Sequence, residues 1–541
     1  MIKDSMAWEL YESVKEQHSL TGMFDMADRC HAFYSGDQWR GCETGDEKMP
    51  VLNIIKPIVD HKVATVAQNK LTITLNPLNY GADYESAIRI CDKLTSHMAN
   101  MWEQNKMDRH LWVAAKEAAI TGDSYVFFYD GKGDAQILDK TCVYLSDEQN
   151  SSIQEQKFII IRERKFVEDV KEEARKNGIA ENEIIGITGD SDTKEELGDE
   201  ADKEVKSALS EKLTCVLMLW KDEKGTVHIC RACKNCVYSP DRAIEGLTLY
   251  PIASLLWSEK KGSARGLGVV EPLIANQIEI NKQNARMIMA AKRYSFPHIA
   301  YRSGSVLNPA QLENVGSTIE VDDVSVQRLS DMVTYLQPAP MSGDVFNLWQ
   351  NLYQLTKDLA GGSDAALGQI DPSTASGTAI IAVKSQAALP LNDQMSAFKQ
   401  FVEDIAAIWW DLWMVYNPNG MEIVVGENVE IVPNETLKAL KISTRIDVSP
   451  DSPFDRYAQE QSVERALASG FISFEEYVEA LDGNSTAPKN RFEDILATRR
   501  AKQEEQAMMS QMQGVMPGAP QGAENNQNMA ALAAAMQGGN V

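Results

Sequence analysis

The residues with the most chemistry in them are three thiols, Cys230, Cys233 and Cys236, in the run HICRACKNC, with Cys215 upstream. Two residues between thiols is a zinc-ligand spacing, because it lets two sulfurs reach one tetrahedral centre. A structural zinc site, however, usually takes two separated pairs, and this is one compact triplet. The stretch also reads as two strands, LTCVLMLW and TVHICRAC, whose alternate residues face a core. Free thiols are the preferred reading, with Cys230, Cys233 and Cys236 as weak metal candidates and disulfides not expected in a reducing compartment.

Other chemistry is missing. There is no GxxxxGK[ST] phosphate loop, no HExxH, no GxSxG and no full dinucleotide fingerprint. GLGVVE at 266–271 opens a helix but lacks the third glycine. The seven histidines (18, 31, 61, 97, 110, 228 and 298) show no metal-ligand pairing, and His298 beside Pro297 reads as a surface or interface residue. Acidic pairs such as Asp322-Asp323 are too common in an acidic chain to imply acid–base work. No catalytic residue, cofactor or metal is assigned.

One long helix carries an unusual pattern. Over Val269–Arg293, Glu279, Lys282, Arg286 and Arg293 fall within a stripe of about 60°. Gln277, Asn281 and Asn284 form a separate amide stripe, and apolar residues lie between. Distinct strips are expected of a helix flanked by copies of itself in a ring. The alternative is an ordinary amphipathic helix with a Glu279–Lys282 pair. The charged stripe could face a bore or a neighbouring subunit, and the sequence leaves both open.

The elements that position these residues follow from periodicity and punctuation. Helical spacing covers 5–34, 54–68, 84–103 and 109–121, the last stopped by Gly122. SYVFFYD and AQILDKTCVYL flank a glycine turn as a hairpin. Further strands are expected at 157–164, 212–220, 226–238 and 421–448, with a charged helix running to about Gly178. Helices are also expected at 344–360, 377–389, 391–416, 453–469, 473–481 and 491–506. Trp409, Trp410 and Trp413 lie on an otherwise apolar helix and read as core rather than a base-stacking platform. An acidic stretch without aromatics, 190–204, reads as a solvated insertion, and the Met/Gln/Ala/Gly tail as unable to build a core.

With 541 residues, more than one domain is expected. A net charge of −25 argues against wrapping nucleic acid by neutralising phosphates. It is compatible with a passage whose walls must not grip DNA, though solubility alone would account for it. No long apolar run or signal peptide is evident, so a soluble protein made in the cytoplasm is expected.

Several stretches, in order, resemble the portal proteins of tailed bacteriophages. They are FYSGDQW, LNIIKPIVDHKVATVAQNK, AAITGDSYVFFYD, YPIASLLWSEKKGSARGLGVVEPLIANQIEINKQNARM, ASGTAIIAVKSQA and RALASGFISFEEYVEALDGN. Each is degenerate; their order over roughly 30–490 carries the resemblance. The acidic insertion and the cysteine triplet depart from the family pattern. The resemblance implies an α+β, mostly helical fold of wing, stem, clip and crown, assembled as a ring of about twelve copies around a DNA channel.

Mapped onto this chain, it implies a wing over 1–265 with a flexible insertion at about 187–206, and stem helices at 266–293 and 342–360. The clip would be 294–341, the tunnel loop 361–376, the rest of the wing 377–450, the crown 451–506 and a loose tail 507–541. Glu279, Lys282, Arg286 and Arg293 would line the channel or a subunit contact. Gly361, Gly362, Gly368 and Gly377 would give the tunnel loop its freedom, with Lys384 nearby, and His298 and Arg302 would lie at the clip interface. Implied partners are double-stranded DNA, terminase, a head–tail adaptor, and the major capsid and scaffolding proteins, with no membrane. The competing readings are another head–tail connector or adaptor, and a DNA-processing enzyme, which would need a phosphate loop or clustered metal ligands.

Overall fold

A computed structural model describes residues 3–42, 49–67, 70–77, 84–129, 133–190, 211–295, 298–301, 306–313, 320, 333–336, 342–362, 386, 388–418, 420–425, 428–433, 442–449, 453–481 and scattered positions from 491 to 498. The chain divides into two units, residues 1–450 and 451–541. Helices and antiparallel sheets alternate along the first, an α+β organisation.

The helical run near the N-terminus is two helices, α1 (Ala7–Leu20) and α2 (Met23–Ser35), because Gly22 adopts a φ of 69° between them. Next come α3 (Ile55–Ala67), β1 (Lys70–Pro77), α4 (Tyr84–Gln104) and α5 (Met107–Thr121). In α3 the stripe Ile55, Ile58, Val59, Val63 and Val66 is buried, the periodicity read from the sequence. Gly122 ends α5 as expected, its N–H bonded to the Ala118 carbonyl.

The expected hairpin is present: β2 (Asp123–Phe128) pairs with β3 (Ala135–Asp139). Its second arm is shorter than the sequence suggests. Asp139 caps a single 3-10 turn, Lys140–Cys142, which steers the chain into another sheet as β4 (Val143–Leu145). That sheet is antiparallel, ordered β4, β5 (Phe158–Phe166), β6 (Lys212–Lys221), β7 (Val227–Cys233) and β8 (Cys236–Ile244). The expected single strand over 226–238 is thus the β7–β8 hairpin.

The five-stranded sheet is covered on both faces, which explains why β6 reads as a continuous apolar run. Tyr11 of α1 packs with Tyr144, Ile160, Val216, Met218 and Cys230 on one face. On the other, α6 (Val167–Lys176) covers Leu213, Cys215, Cys233 and Tyr238, while Leu217 and Leu219 join the main core. A short helix, α7 (Glu181–Ile185), follows α6. Ile187 is buried and Asp190 pairs with Arg164 and accepts the Thr214 N–H, so packed structure continues into the stretch expected as insertion. Residues 191–210 lie outside the described residues.

β9 (Ile252–Leu256) completes a three-stranded sheet ordered β3-β2-β9. A 3-10 turn, Glu271–Leu273, containing Pro272, then leads into α8 (Ile274–Ser295). β10 (His298–Tyr301) pairs antiparallel with β11 (Val333–Leu336), and α9 (Gly343–Leu359) follows. The long aromatic helix is α10 (Asn392–Tyr416), with Trp409 and Trp413 buried and Trp102 edge-on to Trp409 at 5.6 Å. β12 (Met421–Val425) and β13 (Asn428–Val432) form a hairpin, and β14 (Ile442–Ser449) pairs with β1. In the second unit, Ser473 and Glu476 form a capping box on the helix Phe474–Ala480, which packs with the helix Pro453–Ala468. The expected tail, 507–541, lies outside the described residues.

Candidate functional site

The helices α8 and α9 pack against each other, and the chain invests several devices in fixing the start of α8. The first is a backbone crossing between residues 257–269 and the end of α5. Trp257 donates its N–H to the Gly122 carbonyl at 2.9 Å, and Val269 donates to the Ala119 carbonyl at 2.7 Å. A Cβ on Gly266 would stand 2.2 Å from the Gly122 oxygen, and one on Gly268 would stand 2.7 Å from the Ile120 oxygen. The glycines of GLGVV are there for close backbone approach.

The second device is a buried ionic hub. Arg265 donates to Glu148, Asp123, the Tyr125 hydroxyl and the Val143 carbonyl. Lys140 donates to the Thr121 carbonyl at 2.7 Å and pairs with Asp123 at 3.1 Å. His18 Nε2 lies 2.8 Å from Glu148 Oε1. Burial alone would push the Glu148 carboxyl up, but hydrogen bonds from His18 and Arg265 and the Arg265 charge outweigh it and hold it at about 2. Sequence reasoning missed this hub: positions 18, 123, 148 and 265 share no spacing signal.

The third device is the amide stripe of α8. Gln277 and Asn281 are buried and hold an extended segment of the same chain. Gln277 Nε2 donates to the Leu52 carbonyl at 2.7 Å, and Gln277 Oε1 accepts the Ile54 N–H at 3.2 Å. Asn281 Oδ1 accepts the Leu52 N–H at 3.1 Å, and its Nδ2 donates to Gln38 Oε1 at 2.5 Å. These two amides therefore serve an intrachain dock, which gives the amide strip a cause within the chain. A buried amide is satisfied by whatever backbone passes within reach, and here that is residues 52–54.

Among the remaining sequence candidates, Glu279 and Arg286 form an exposed ion pair at 3.7 Å, a different pairing from the Glu279–Lys282 of the amphipathic-helix alternative. Lys282 and Arg293 are exposed. Gly361 has a φ of 70° and ends α9, and a Cβ on Gly362 would stand 2.7 Å from Ile58 Cγ1. Helix termination and packing account for glycine at both positions. His298 begins β10; Arg302, Gly368, Gly377 and Lys384 lie outside the described residues.

The cysteine triplet does not converge. Cys230 faces the α1 side of the five-stranded sheet, whereas Cys233 and Cys236 face the α6 side with Cys215. Strand alternation turns Cys233, three residues on, to the face opposite Cys230, and Cys236 pairs with Cys233 across the β7–β8 hairpin and shares its face, so Cys230 cannot share a centre with the other two. Burial pushes the Cys230 thiol up to about 12 and the Cys236 thiol up to about 11, which favours the protonated form over the thiolate a metal needs.

The ordered crossing, helix pair and intervening β10–β11 module frame the comparison with known proteins. The sequence model of the phage P22-like portal protein family matches residues 131–540, about three-quarters of the chain. The chain belongs to that family. It is thereby a structural component of a phage virion, in a family that is not enzymatic. No helix among the described residues is long and apolar enough to cross a membrane.

A search of curated proteins finds no match. Among solved structures, the chain is similar to one from the neck of an empty gene transfer agent particle, at 11% identity and a TM-score of 0.37, covering 79% of this chain and 90% of that one. It is also similar to one from the virion of a native gene transfer agent particle, at 12% identity and a TM-score of 0.38, covering 84% and 93%.

Proposed function

We propose that this portal-family chain assembles into a ring of about twelve copies at a capsid vertex, through which double-stranded DNA is packaged and later ejected. The single observation that carries this reading is the apolar surface on the helix pair. Phe346, Leu348, Leu355 and Leu359 of α9, with Ile288 and Met289 of α8, are all exposed, Leu359 to 80%. Scattered exposed leucines need no explanation, but six large apolar side chains on one helix pair call for a covering surface. Copies of the same pair in a cyclic ring supply it.

On this reading α8 and α9 are the stem, residues 294–341 the clip, 361–376 the tunnel loop and 451–506 the crown. The clip would dock terminase during packaging and a head–tail adaptor afterwards, and the wing would meet capsid and scaffolding proteins. Glu279, Lys282, Arg286 and Arg293 would face the bore or the next subunit, with Lys384 near the passing DNA. Imaging of the purified chain tests the assembly: rings with a central hole are expected, and monomers or compact dimers without one would overturn it. Lys384→Ala tests the tunnel assignment, because unchanged packaging and DNA retention would remove that residue from the mechanism.

A further inference from the structure

We propose that His31, Glu117 and Asp139 bind a divalent transition-metal ion of the zinc class, which fastens α2, α5 and the end of β3 to one another. The three residues are far apart in sequence and come from three elements. Packing brings His31 Nε2, one Glu117 oxygen and one Asp139 oxygen to within 4.8 Å of one another. His31 Nε2 is already 2.7 Å from Glu117 Oε1. Zinc bonds to nitrogen and oxygen of about 2.0–2.2 Å place neighbouring donors roughly 3 to 3.5 Å apart, so modest side-chain rotations close the remaining gap.

The donor set suits such an ion. One imidazole and two carboxylates are borderline-to-hard ligands. The Asp139 carboxylate is held in place by the Thr141 hydroxyl, which donates to Oδ2 at 3.1 Å, as outer-sphere partners hold ligands in metal sites. The His31 side chain is 41% exposed, which gives an ion a path in and leaves positions open for water.

Charge balance points the same way. A proton on His31 satisfies Glu117 through one hydrogen bond, but Asp139 adds a second negative charge within the same small volume. The neighbouring ammonium, Lys140, is turned away to Asp123 and the Thr121 carbonyl. Two carboxylates beside one imidazole repel each other unless a cation sits among them. The hydrogen bond that His31 donates to Glu117 raises the His31 pKa against the opposing effect of burial, and the charges of Glu117, Asp139 and Asp28 add to the rise.

The test is a Zn²⁺ titration of the full-length chain by calorimetry, with the thermal midpoint followed in parallel. One ion per chain and a raised midpoint are expected. Asp139→Asn should weaken binding by about 10- to 100-fold, as should His31→Ala. If His31→Ala does not fold, Glu117→Gln, which keeps an acceptor for His31, reads the same loss. Cys42→Ser, which removes the exposed thiol, should leave binding unchanged. No saturable binding, or equal affinity in the wild type and Asp139→Asn, would overturn the proposal.

Discussion

Arg265 and Glu148 meet through two charge-assisted hydrogen bonds, Nε to Oε2 at 2.8 Å and Nη2 to Oε1 at 2.9 Å, although they lie 117 residues apart. The fork locks the segment leading into α8 onto the turn that follows β4. Arg265→Met removes the guanidinium and leaves the buried Asp123 and the partly buried Glu148 each short of a partner. A loss of about 3–5 kcal/mol is expected in chemical denaturation. Arg265→Lys should recover only part of it, because an ammonium cannot reproduce the planar fork.

The same pair predicts an acid-sensitive component of stability. Glu148 is held at about 2 in the folded chain, below its ordinary value of 4.5. A depressed carboxyl stabilises the fold fully above the unfolded value, and that contribution disappears as pH falls toward the folded one. Roughly 3 kcal/mol should therefore be lost between about pH 5 and pH 2. Glu148→Gln should be less stable at neutral pH and show a flatter profile through that window. Denaturation midpoints at several pH values check it; parallel slopes in both proteins would remove Glu148 from the account.

The backbone crossing makes a steric prediction. Gly266→Ala would drive a methyl against the Gly122 carbonyl, and Gly268→Ala against that of Ile120. Neither residue has a positive φ, so the cost is crowding rather than an unfavourable backbone conformation. Each variant should lose at least 2 kcal/mol, within the range for overpacked positions. Gly225→Ala has open space around its Cβ but a φ of 83°, so it pays a conformational cost of about 1 kcal/mol instead. Thermal midpoints of the three variants separate the two causes.

Local structure was legible where periodicity and punctuation agreed. The α5–Gly122–β2 passage, the two long helices and the core tryptophans of α10 all announce themselves in the sequence. β1 was overlooked although Leu71, Ile73 and Leu75 alternate, because its partner β14 lies more than 350 residues away and a lone strand has no nearby hairpin signal. The ionic hub and the His31 cluster were invisible for a related reason: their members come from separate elements, and only packing gives them a common neighbourhood. The cysteine triplet misled in the opposite direction. Its spacing suggests a shared centre, and the two-residue alternation of a strand sends Cys230 to the other face.

The amide clamp yields a prediction about a chain segment rather than a helix. Residues 52–54 are held to α8 by Gln277 and Asn281 through three backbone groups, the Leu52 N–H and carbonyl and the Ile54 N–H. Replacing either amide with Leu puts an apolar group of similar size against those groups and leaves them unsatisfied, at about 1–3 kcal/mol for each. Gln277→Leu strands the Leu52 carbonyl and the Ile54 N–H, and Asn281→Leu strands the Leu52 N–H and Gln38 Oε1, so the two single variants should lose similar amounts. Because Gln277 Nε2 also donates to Asn281 Oδ1 at 3.2 Å, the double variant should lose less than the two single losses combined. Amide hydrogen exchange gives the local reading: protection at Leu52 and Ile54 should fall in the single variants, while protection in β6 stays at the wild-type level. Equal loss in β6 would mean that the clamp acts on the whole unit instead of the segment it holds.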